Sequence, residues 1–488
     1  MSLTDDDLAL VLSATPMVGI EAAAGAGKTH EACELALRWS AGLLPHQSVL
    51  FLSHTNAARD VFRRRIGTNQ GLRAQVGITT LDSFCLDILN PYARLWELPV
   101  PLHTPRPLPE GWFADVRAKA ARLLRARAPI AKAIAARYPF VIADEHQDAS
   151  RDHHAILCQL AEAGARVRMF GDALQAILTF DATIPGWETL MHGIPVVTMS
   201  GSWRWADTPE LGAWVAAARQ CLLEHRPIAL DAAPACVRVV RTERDRGVTW
   251  PRCTTVRNVL EGYTDGRSVV VLGRRNDDVK EIARVAELEL VVNEGSDLGT
   301  VEEVIEEVLA CQGDAASAAR VFVDFMIDVG VLPDATADAI RTLNFTTGVP
   351  GLTEVVEQLR ASPNLRGLVA ATRAAKRSAE QLGWEVIHPI ALQTIATLPL
   401  HVGADDVQTL AYQAQRAMSE LPMPPRCAST IHKAKGREFA SVVLPSLDAT
   451  TFRDSLWDRQ LLYVALSRAR NELTLVVPVG SPSPLITL

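Results

Sequence analysis

The chain has 488 residues, of which 48% are hydrophobic and 22% are charged, and its formal net charge is −7. This composition is typical of a globular protein and excludes a wholly disordered chain. The negative charge excludes a protein that coats nucleic acid through bulk positive charge, although a local basic groove is compatible with it. At roughly 150 residues per domain, the length predicts about three domains.

The first 200 residues alternate strand-like and helix-like patterns. Apolar runs predict strands at 18–22, 48–53, 75–80, 139–143 and 166–170. Helical patterns cover 29–39, 56–66 and 112–137, and a proline-rich linker is expected at 91–111. Strands that alternate with helices predict βαβ units and a parallel sheet.

The remainder of the chain predicts a second sheet that is interrupted by helices. Strand-like runs recur at 237–241, 268–273, 427–431, 441–445 and 473–478. Residues 300–420 have largely helical patterns.

Cysteine spacing and hydropathy predict the cellular compartment of the protein. The eight cysteines are scattered without a C-x-x-C pair, which argues against a zinc ribbon and against a disulfide framework. The acidic N-terminus is unlike a signal peptide. No apolar run reaches the ~18 residues that a membrane span needs. We therefore expect a cytoplasmic protein without a membrane partner.

A run of small residues follows the first predicted strand. Residues 22–29 read Ala-Ala-Ala-Gly-Ala-Gly-Lys-Thr and fit the P-loop pattern, except that Ala22 stands at the usual first glycine. Lys28 is expected to reach the β- and γ-phosphates of ATP, and Thr29 to ligate Mg²⁺. The alternative is a small-residue turn with a chance lysine. The backbone amides expected to wrap the phosphates at the helix N-terminus belong to Ala24, Gly25, Ala26 and Gly27.

Two carboxylates follow the strand that ends at Ala143. Ligands of open parallel α/β sheets bind at the carboxyl ends of the strands, where these acids are expected. Asp144 is expected to hold Mg²⁺, and Glu145 to orient and deprotonate the attacking water. The alternative is an ordinary acidic helix start.

With Asp-Glu-His-Gln-Asp at 144–148, the chain resembles the UvrD/Rep/RecB group of superfamily 1 DNA helicases. Other segments resemble further motifs of this group in the family's order, namely Ia at 52–56, Ib at 79–84, III at 168–177, IV at 201–204, V at 430–439 and VI at 462–470. The resemblance implies an α/β fold of two RecA-like P-loop lobes with parallel sheets, each interrupted by a small, mainly helical insert. The implied first lobe comprises 1–89 and 138–200 with insert 90–137, and the second 201–299 and 421–488 with insert 300–420.

The same resemblance implies roles around ATP. Gln175 would sense the γ-phosphate, and Arg204 and Arg468 would reach from the second lobe as arginine fingers. Trp203 would stack on adenine, and Glu438 would contact the ribose. The alternatives are a surface salt bridge for Arg468 and a core aromatic for Trp203.

The resemblance also implies a groove for single-stranded DNA, to which the basic segment 59–65 would add charge unless it is a solvated helix face. The implied phosphate contacts are Thr55, Asn56, Thr80, Thr430 and His432. Leu178, Phe180 and Asp181 stand where the family usually has tyrosine, tryptophan and arginine against the DNA bases. Because stacking contributes roughly 1–3 kcal/mol per base, these differences are expected to weaken binding.

Three functions follow from these motifs. The first is an ATP-dependent helicase or translocase acting on single-stranded DNA or on DNA with a single-stranded end. The second is a nucleotide- or DNA-sensing ATPase that regulates a partner nuclease, because the short chain resembles the helicase subunits of Gabija anti-phage systems. The third, a P-loop ATPase unrelated to nucleic acid, is disfavoured by the order of the DNA-side motifs.

Overall fold

The structure, a computed structural model, describes most of the chain. The described residues are 3–54, 59, 62–63, 65–66, 75–96, 98, 111–177, 184–242, 253–263, 268–276, 278–279, 282, 289–290, 304–305, 307–308, 310–311, 313–328, 340, 352–382, 395–396 and 426–488. Thr55 and Asn56 of the expected DNA contacts lie outside them, as do Leu178, Phe180 and Asp181.

The described elements alternate between strands and helices, as the sequence predicts. The strands are β1 Met17–Ala22, β2 Val49–Ser53, β3 Val76–Thr80, β4 Phe140–Ala143, β5 Arg166–Gly171, β6 Val196–Met199, β7 Ile228–Ala229, β8 Val237–Thr242, β9 Val269–Gly273, β10 Glu289–Leu290, β11 Arg426–Thr430, β12 Phe439–Leu444, β13 Ala469–Pro478 and β14 Ile486–Thr487. The helices are α1 Asp5–Leu12, α2 Lys28–Ser40, α3 Leu81–Leu89, α4 Trp112–Ala126, α5 Ala128–Arg137, α6 Arg151–Glu162, α7 Trp187–Leu190, α8 Pro209–Leu223, α9 Cys253–Glu261, α10 Ala315–Asp328, α11 Leu352–Ala361, α12 Leu365–Leu382, α13 Ile431–Ala434 and α14 Leu456–Leu466. No helix among the described residues is long and apolar enough to cross a membrane.

Two local expectations are corrected. The helix predicted over 112–137 is two helices, because Pro129 in the first turn of α5 cannot continue a helix from the preceding residues. The expected linker over 91–111 begins inside a 3₁₀ helix, Asn90–Trp96. The strand β6 is not predicted from the sequence, since it has only four residues, two of them exposed.

The first sheet is entirely parallel, with the order β3-β2-β4-β5-β1-β6. Every residue of β2 is buried, as expected for an apolar strand that is covered on both faces. Successive strand residues face opposite sides of a sheet. Accordingly Val49 and Phe51 pack in one core, whereas Leu50 and Leu52 pack in the other. The expectation of βαβ units around a parallel sheet is confirmed.

The chain divides into two compact units, rather than the three domains expected from its length. The first comprises Met1–Arg244 and Ala434–Leu488. It holds the first sheet, the parallel strands β12-β13-β8, and the parallel pair β7-β14. The lobe and insert boundaries expected from the sequence stay predictions.

The second unit is Asp245–Lys433. It holds the neighbouring parallel strands β10-β11-β9. Its helices α10, α11 and α12 share a core in which Phe322, Val355 and Leu368 are fully buried. The helical character expected for 300–420 is therefore present in its described residues.

A buried arginine fixes the N-terminal helix α1 to the first sheet. Arg168 of β5 has no exposed surface, and its Nε donates to Val11 O at 2.6 Å. Its Nη1 and Nη2 donate to Thr15 O and Ser13 O, each at 3.0 Å. These carbonyls lie at the C-terminal end of α1, where no helical N–H satisfies them. The buried charge is thus bound by peptide dipoles.

We expect Arg168→Met to lower the free energy of unfolding by about 3 kcal/mol, since three carbonyl acceptors, of which Val11 O is buried, each lose a donor worth about 1 kcal/mol. Urea unfolding of the full chain measures this loss. Arg166→Met is the matched control, because Arg166 lies on the same strand and its guanidinium contacts the Phe140 ring at 5.5 Å. Equal losses for the two variants would contradict the anchoring role.

Candidate nucleotide-binding site

The phosphate loop has the strand–turn–helix form that its sequence predicts. β1 ends at Ala22, and α2 begins at Lys28. Gly25 and Gly27 have φ values of 75° and 90°, in the left-handed region that favours glycine. The Lys28 Nζ donates to Ala22 O at 3.0 Å, so the ammonium group lies over the loop. A helix N-terminus with free amides and an adjacent lysine suits a polyphosphate.

The segment 203–205 packs directly on this loop. Trp203 N donates to Gly25 O at 2.9 Å. A Cβ atom on Gly25 would lie 2.8 Å from the Arg204 Cβ and 2.9 Å from the Trp205 ring, so this position needs glycine for space as well as for φ. The exposed fractions of the two indoles differ, at 65% for Trp203 and 3% for Trp205. Trp203 is therefore not a core aromatic.

Asp144 and Glu145 follow β4 at the same sheet edge. Asp144 is buried, and its Oδ1 accepts a hydrogen bond from Glu145 N at 3.0 Å. Glu145 has φ 51°, which is uncommon for a residue other than glycine and characteristic of strained functional positions. Gln147 Nε2 donates to Glu145 Oε2 and so fixes the carboxylate. Glu145 is also the N-cap residue of a 3₁₀ helix, His146–Asp148, as the alternative of an acidic helix start expects.

The two carboxylates differ in their electrostatics. Burial and the charge of Glu145 raise the pKa of Asp144 above its ordinary value. Burial opposes the ionisation of Glu145, but Lys28 and Lys435 outweigh it and lower the pKa of Glu145. Glu145 is therefore ionised at neutral pH, as a general base must be. The buried Asp144 carboxyl is suited to a cation, because carboxylate oxygens are preferred Mg²⁺ ligands.

We expect Asp144→Asn to stabilise the chain by about 1 kcal/mol at pH 8 without Mg²⁺, as is common when a buried charge at a functional position is removed. Folding raises the pKa of Asp144, so this carboxyl loses its proton at a lower pH in the unfolded chain than in the folded chain. At neutral pH and above, its ionisation therefore favours the unfolded chain. The gain should shrink as the pH falls to 5. Urea unfolding at both pH values measures it, with the exposed Asp207→Asn as control. A less stable Asp144→Asn chain at pH 8 would contradict the expectation.

Gln175 and Arg468 meet at the site. Gln175 ends the 3₁₀ turn after β5, and its Nε2 donates to Asp172 Oδ2 at 2.8 Å. Its Oε1 accepts a hydrogen bond from Arg468 Nη2 at 3.3 Å. Arg468 is 1% exposed, and its Nε donates to Val464 O at 2.9 Å. Burial and the nearby Arg204 lower its pKa to about 9. Arg468 is therefore not part of a surface salt bridge.

Arg204 and Glu438 form an ion pair. The Nε and Nη2 atoms of Arg204 lie 2.9 and 2.8 Å from Glu438 Oε1. Arg204 Nη1 also donates to the carbonyl of Ser467 at 2.5 Å, and Ser467 directly precedes Arg468. The expected arginine fingers thus lie close together, in the same compact unit as the phosphate loop.

These groups enclose one cavity of about 730 Å³ within the first unit. It lies where successive neighbours β4, β5, β1 and β6 present their carboxyl ends. Every residue expected to bind or hydrolyse ATP lines it, except Ala26 and Asp144, which are buried. His30 and Arg65 line it as well, whereas the sequence predicts that the segment 59–65 adds charge to the DNA groove. The structure therefore brings the ATP-side residues into one pocket.

The expected DNA contacts are less informative. Thr80 caps α3, since its Oγ1 accepts from Ser83 N at 3.1 Å and donates to Ser83 Oγ at 2.8 Å. In the second unit, Thr430 Oγ1 accepts from Lys433 N at 3.2 Å, and His432 is half-buried. Both threonine hydroxyls thus already act as helix caps, and their contact with DNA stays a prediction.

Two site residues were missed although they lie within recognised motifs. Tyr463 of α14 is buried, and its hydroxyl accepts from Ala24 N at 2.9 Å. Lys435 Nζ contacts Asp148 Oδ2 at 2.5 Å and Gln175 O at 2.6 Å. Their presence in the motif VI and motif V segments was a usable signal, but it did not indicate which groups they contact.

Comparison with known families agrees with this geometry. The model of the UvrD/REP helicase N-terminal domain matches residues 3–102 and 112–186. The model of the UvrD-like helicase C-terminal domain matches residues 425–476. No curated protein matches the chain. The mixed α/β fold with parallel sheets is consistent with two RecA-like lobes, so the expected fold class is confirmed, whereas nothing here supports the likeness to the Gabija subunit.

Proposed function

We propose that this chain, whose N- and C-terminal UvrD-like domains support a UvrD/Rep superfamily 1 helicase, hydrolyses ATP to move along single-stranded DNA. The observation that carries the proposal is the cavity in which the phosphate loop, Glu145, Gln175 and two arginines meet. Phosphoryl transfer needs these parts, because its catalysis is mainly positioning and neutralisation of charge. We propose that the protein acts in the cytoplasm.

In the proposed mechanism, the phosphate loop binds the triphosphate. The amides at the start of α2 and the Lys28 ammonium hold the phosphate oxygens. Thr29 and Asp144 would hold Mg²⁺, which supplies neutralisation of the phosphate charge. The exposed Trp203 would stack on the base, and Glu438 would contact the ribose once Arg204 leaves it.

The remaining residues act on the attacking water and the γ-phosphate. Glu145, kept ionised by its cationic neighbours, orients the water and accepts its proton. Gln175 and Arg468, already in contact, face the γ-phosphate together. Arg204 adds a second positive charge. These cations stabilise negative charge that develops on the phosphoryl oxygens in the transition state.

The residues proposed to contact the phosphates of single-stranded DNA are Thr55, Asn56, Thr80, Thr430 and His432. The second candidate function is an ATPase that senses DNA or nucleotide and regulates a partner nuclease. The observation that favours this candidate is that the hydroxyls of Thr80 and Thr430 already cap helices. Fewer hydroxyls would then be available to bind DNA phosphates, so DNA binding would be weaker.

Steady-state ATP hydrolysis by the purified chain, with and without single-stranded DNA, tests the proposal. Lys28→Ala serves as the blank, and a duplex with a single-stranded tail tests strand separation. Strong stimulation by DNA is expected of a translocase. Hydrolysis without stimulation would favour the sensing ATPase, and hydrolysis no faster than the blank would overturn both.

A further inference from the structure

Arg219 lies on α8, a helix that no recognised motif covers. Its side chain is 16% exposed, and Nη2 contacts Glu21 Oε1 at 2.7 Å and Asp172 Oδ1 at 3.0 Å. Glu21 pairs in register with Gly171, the residue before Asp172. One guanidinium nitrogen therefore bridges carboxylates at the ends of the adjacent strands β1 and β5.

Asp172 connects this ion pair to the nucleotide cavity. Its side chain has no exposed surface, and its Oδ2 accepts from Gln175 Nε2 at 2.8 Å. Its backbone N–H donates to Gln147 Oε1 at 3.2 Å, and Gln147 in turn donates to Glu145. Asp172 thus orients Gln175 through its buried carboxylate, and it orients the Gln147 amide that holds Glu145 through its backbone N–H.

The same guanidinium also contacts the residue beneath the phosphate loop. The Arg219 Cζ lies 5.9 Å from the centre of the Tyr463 ring. The Tyr463 hydroxyl accepts from Ala24 N at 2.9 Å. Arg219 itself does not line the cavity, so it touches the phosphate loop and Gln175 only through other side chains.

A buried carboxylate that loses its cation carries a large penalty, which the chain relieves by protonation or by rearrangement. Either response would change the partner that Gln175 Nε2 finds. Because one nitrogen, Nη2, makes both carboxylate contacts, a lysine at this position keeps the charge but lacks the planar guanidinium beside the Tyr463 ring.

We propose that Arg219 is a positioning residue for ATP hydrolysis. It neutralises Asp172 and thereby holds Gln175 at the γ-phosphate. The inference rests on the proposed function. It distinguishes Arg219 from a merely structural ion pair, because its loss should slow the chemical step more than it weakens ATP binding.

The test compares kcat and KM for ATP in full-length Arg219→Met, Asp172→Asn and the double variant. Arg219→Met should lower kcat about 10- to 100-fold with little change in KM, since a displacement of about 1 Å costs about 100-fold in rate. Asp172→Asn needs no cation, so the double variant should exceed Arg219→Met by about threefold or more, a coupling typical of side chains in contact. Arg226→Met, whose exposed guanidinium pairs with Glu224, is the control.

Several outcomes would overturn the inference. They are a kcat for Arg219→Met within about twofold of wild type, an equal fall for Arg226→Met, or a double variant no faster than Arg219→Met. If Arg219→Met does not fold, Arg219→Gln decides, because it keeps a polar side chain without the charge, and wild-type kcat in that variant would refute the role. A wild-type chain no faster than Lys28→Ala would overturn the proposed function itself, a distinct result.

Discussion

Arg468→Ala is expected to lower kcat for ATP hydrolysis about 1000-fold or more, the range found for arginine fingers. Its guanidinium is 1% exposed, lines the cavity, and contacts Gln175 Oε1. Within a site of low dielectric, a fixed cation stabilises developing phosphoryl charge far better than solvent does. Steady-state hydrolysis at saturating ATP measures the loss.

Two further variants separate catalysis from folding. Arg468→Lys keeps a positive charge but cannot make the same directed hydrogen bonds, so it should remain at least about tenfold slow. Arg470→Ala removes an exposed arginine two residues further along and should hydrolyse ATP at the wild-type rate. A folded Arg468→Ala chain within about tenfold of wild type would refute the finger role.

Glu145→Gln is expected to lower kcat about 100- to 10,000-fold, the contribution typical of a general base, while ATP still binds. The glutamine keeps the size of the side chain but cannot accept a proton. Since Lys28 and Lys435 lower the pKa of Glu145, the wild-type rate should not fall through loss of this base as the pH drops from 8 to 6. Equilibrium binding of a fluorescent ATP analogue, beside hydrolysis, separates the two effects.

Glu162→Gln is the matched control for this variant. Glu162 is exposed at the end of α6, outside the cavity, so its loss should leave both hydrolysis and binding unchanged. If Glu145→Gln instead weakens ATP binding and hydrolyses what it binds at the normal rate, Glu145 is a ligand-binding residue and not the base.

The parts of the site that the sequence predicted are those with local causes. A buried strand, a turn that needs left-handed glycines at 25 and 27, and a helix starting at Lys28 occupy consecutive residues. Asp144 and Glu145 likewise follow directly from the end of an apolar strand. Because parallel strands present their carboxyl ends at one edge, local order was sufficient to place these groups together.

The parts that were missed depend on contacts between distant segments. Arg219 lies in an alanine-rich helix and looks like one more surface arginine, until β1 and β5 bring Glu21 and Asp172 to it. Arg168 gives no signal in an apolar strand, because its partners are backbone carbonyls around α1. Periodicity describes which face is buried, but not which polar group a buried charge meets.

The bond between Tyr463 and the phosphate loop has a consequence for synthesis. Ala24 and Tyr463 are separated by 439 positions. At about 5 to 20 residues per second, a ribosome needs roughly 20 to 90 s to synthesise the segment between the two residues. During that interval the nascent chain has its phosphate loop but neither this tyrosine nor Arg468. On the proposed function, we therefore expect no ATP hydrolysis by the growing polypeptide, and none by products of messages truncated ahead of α14.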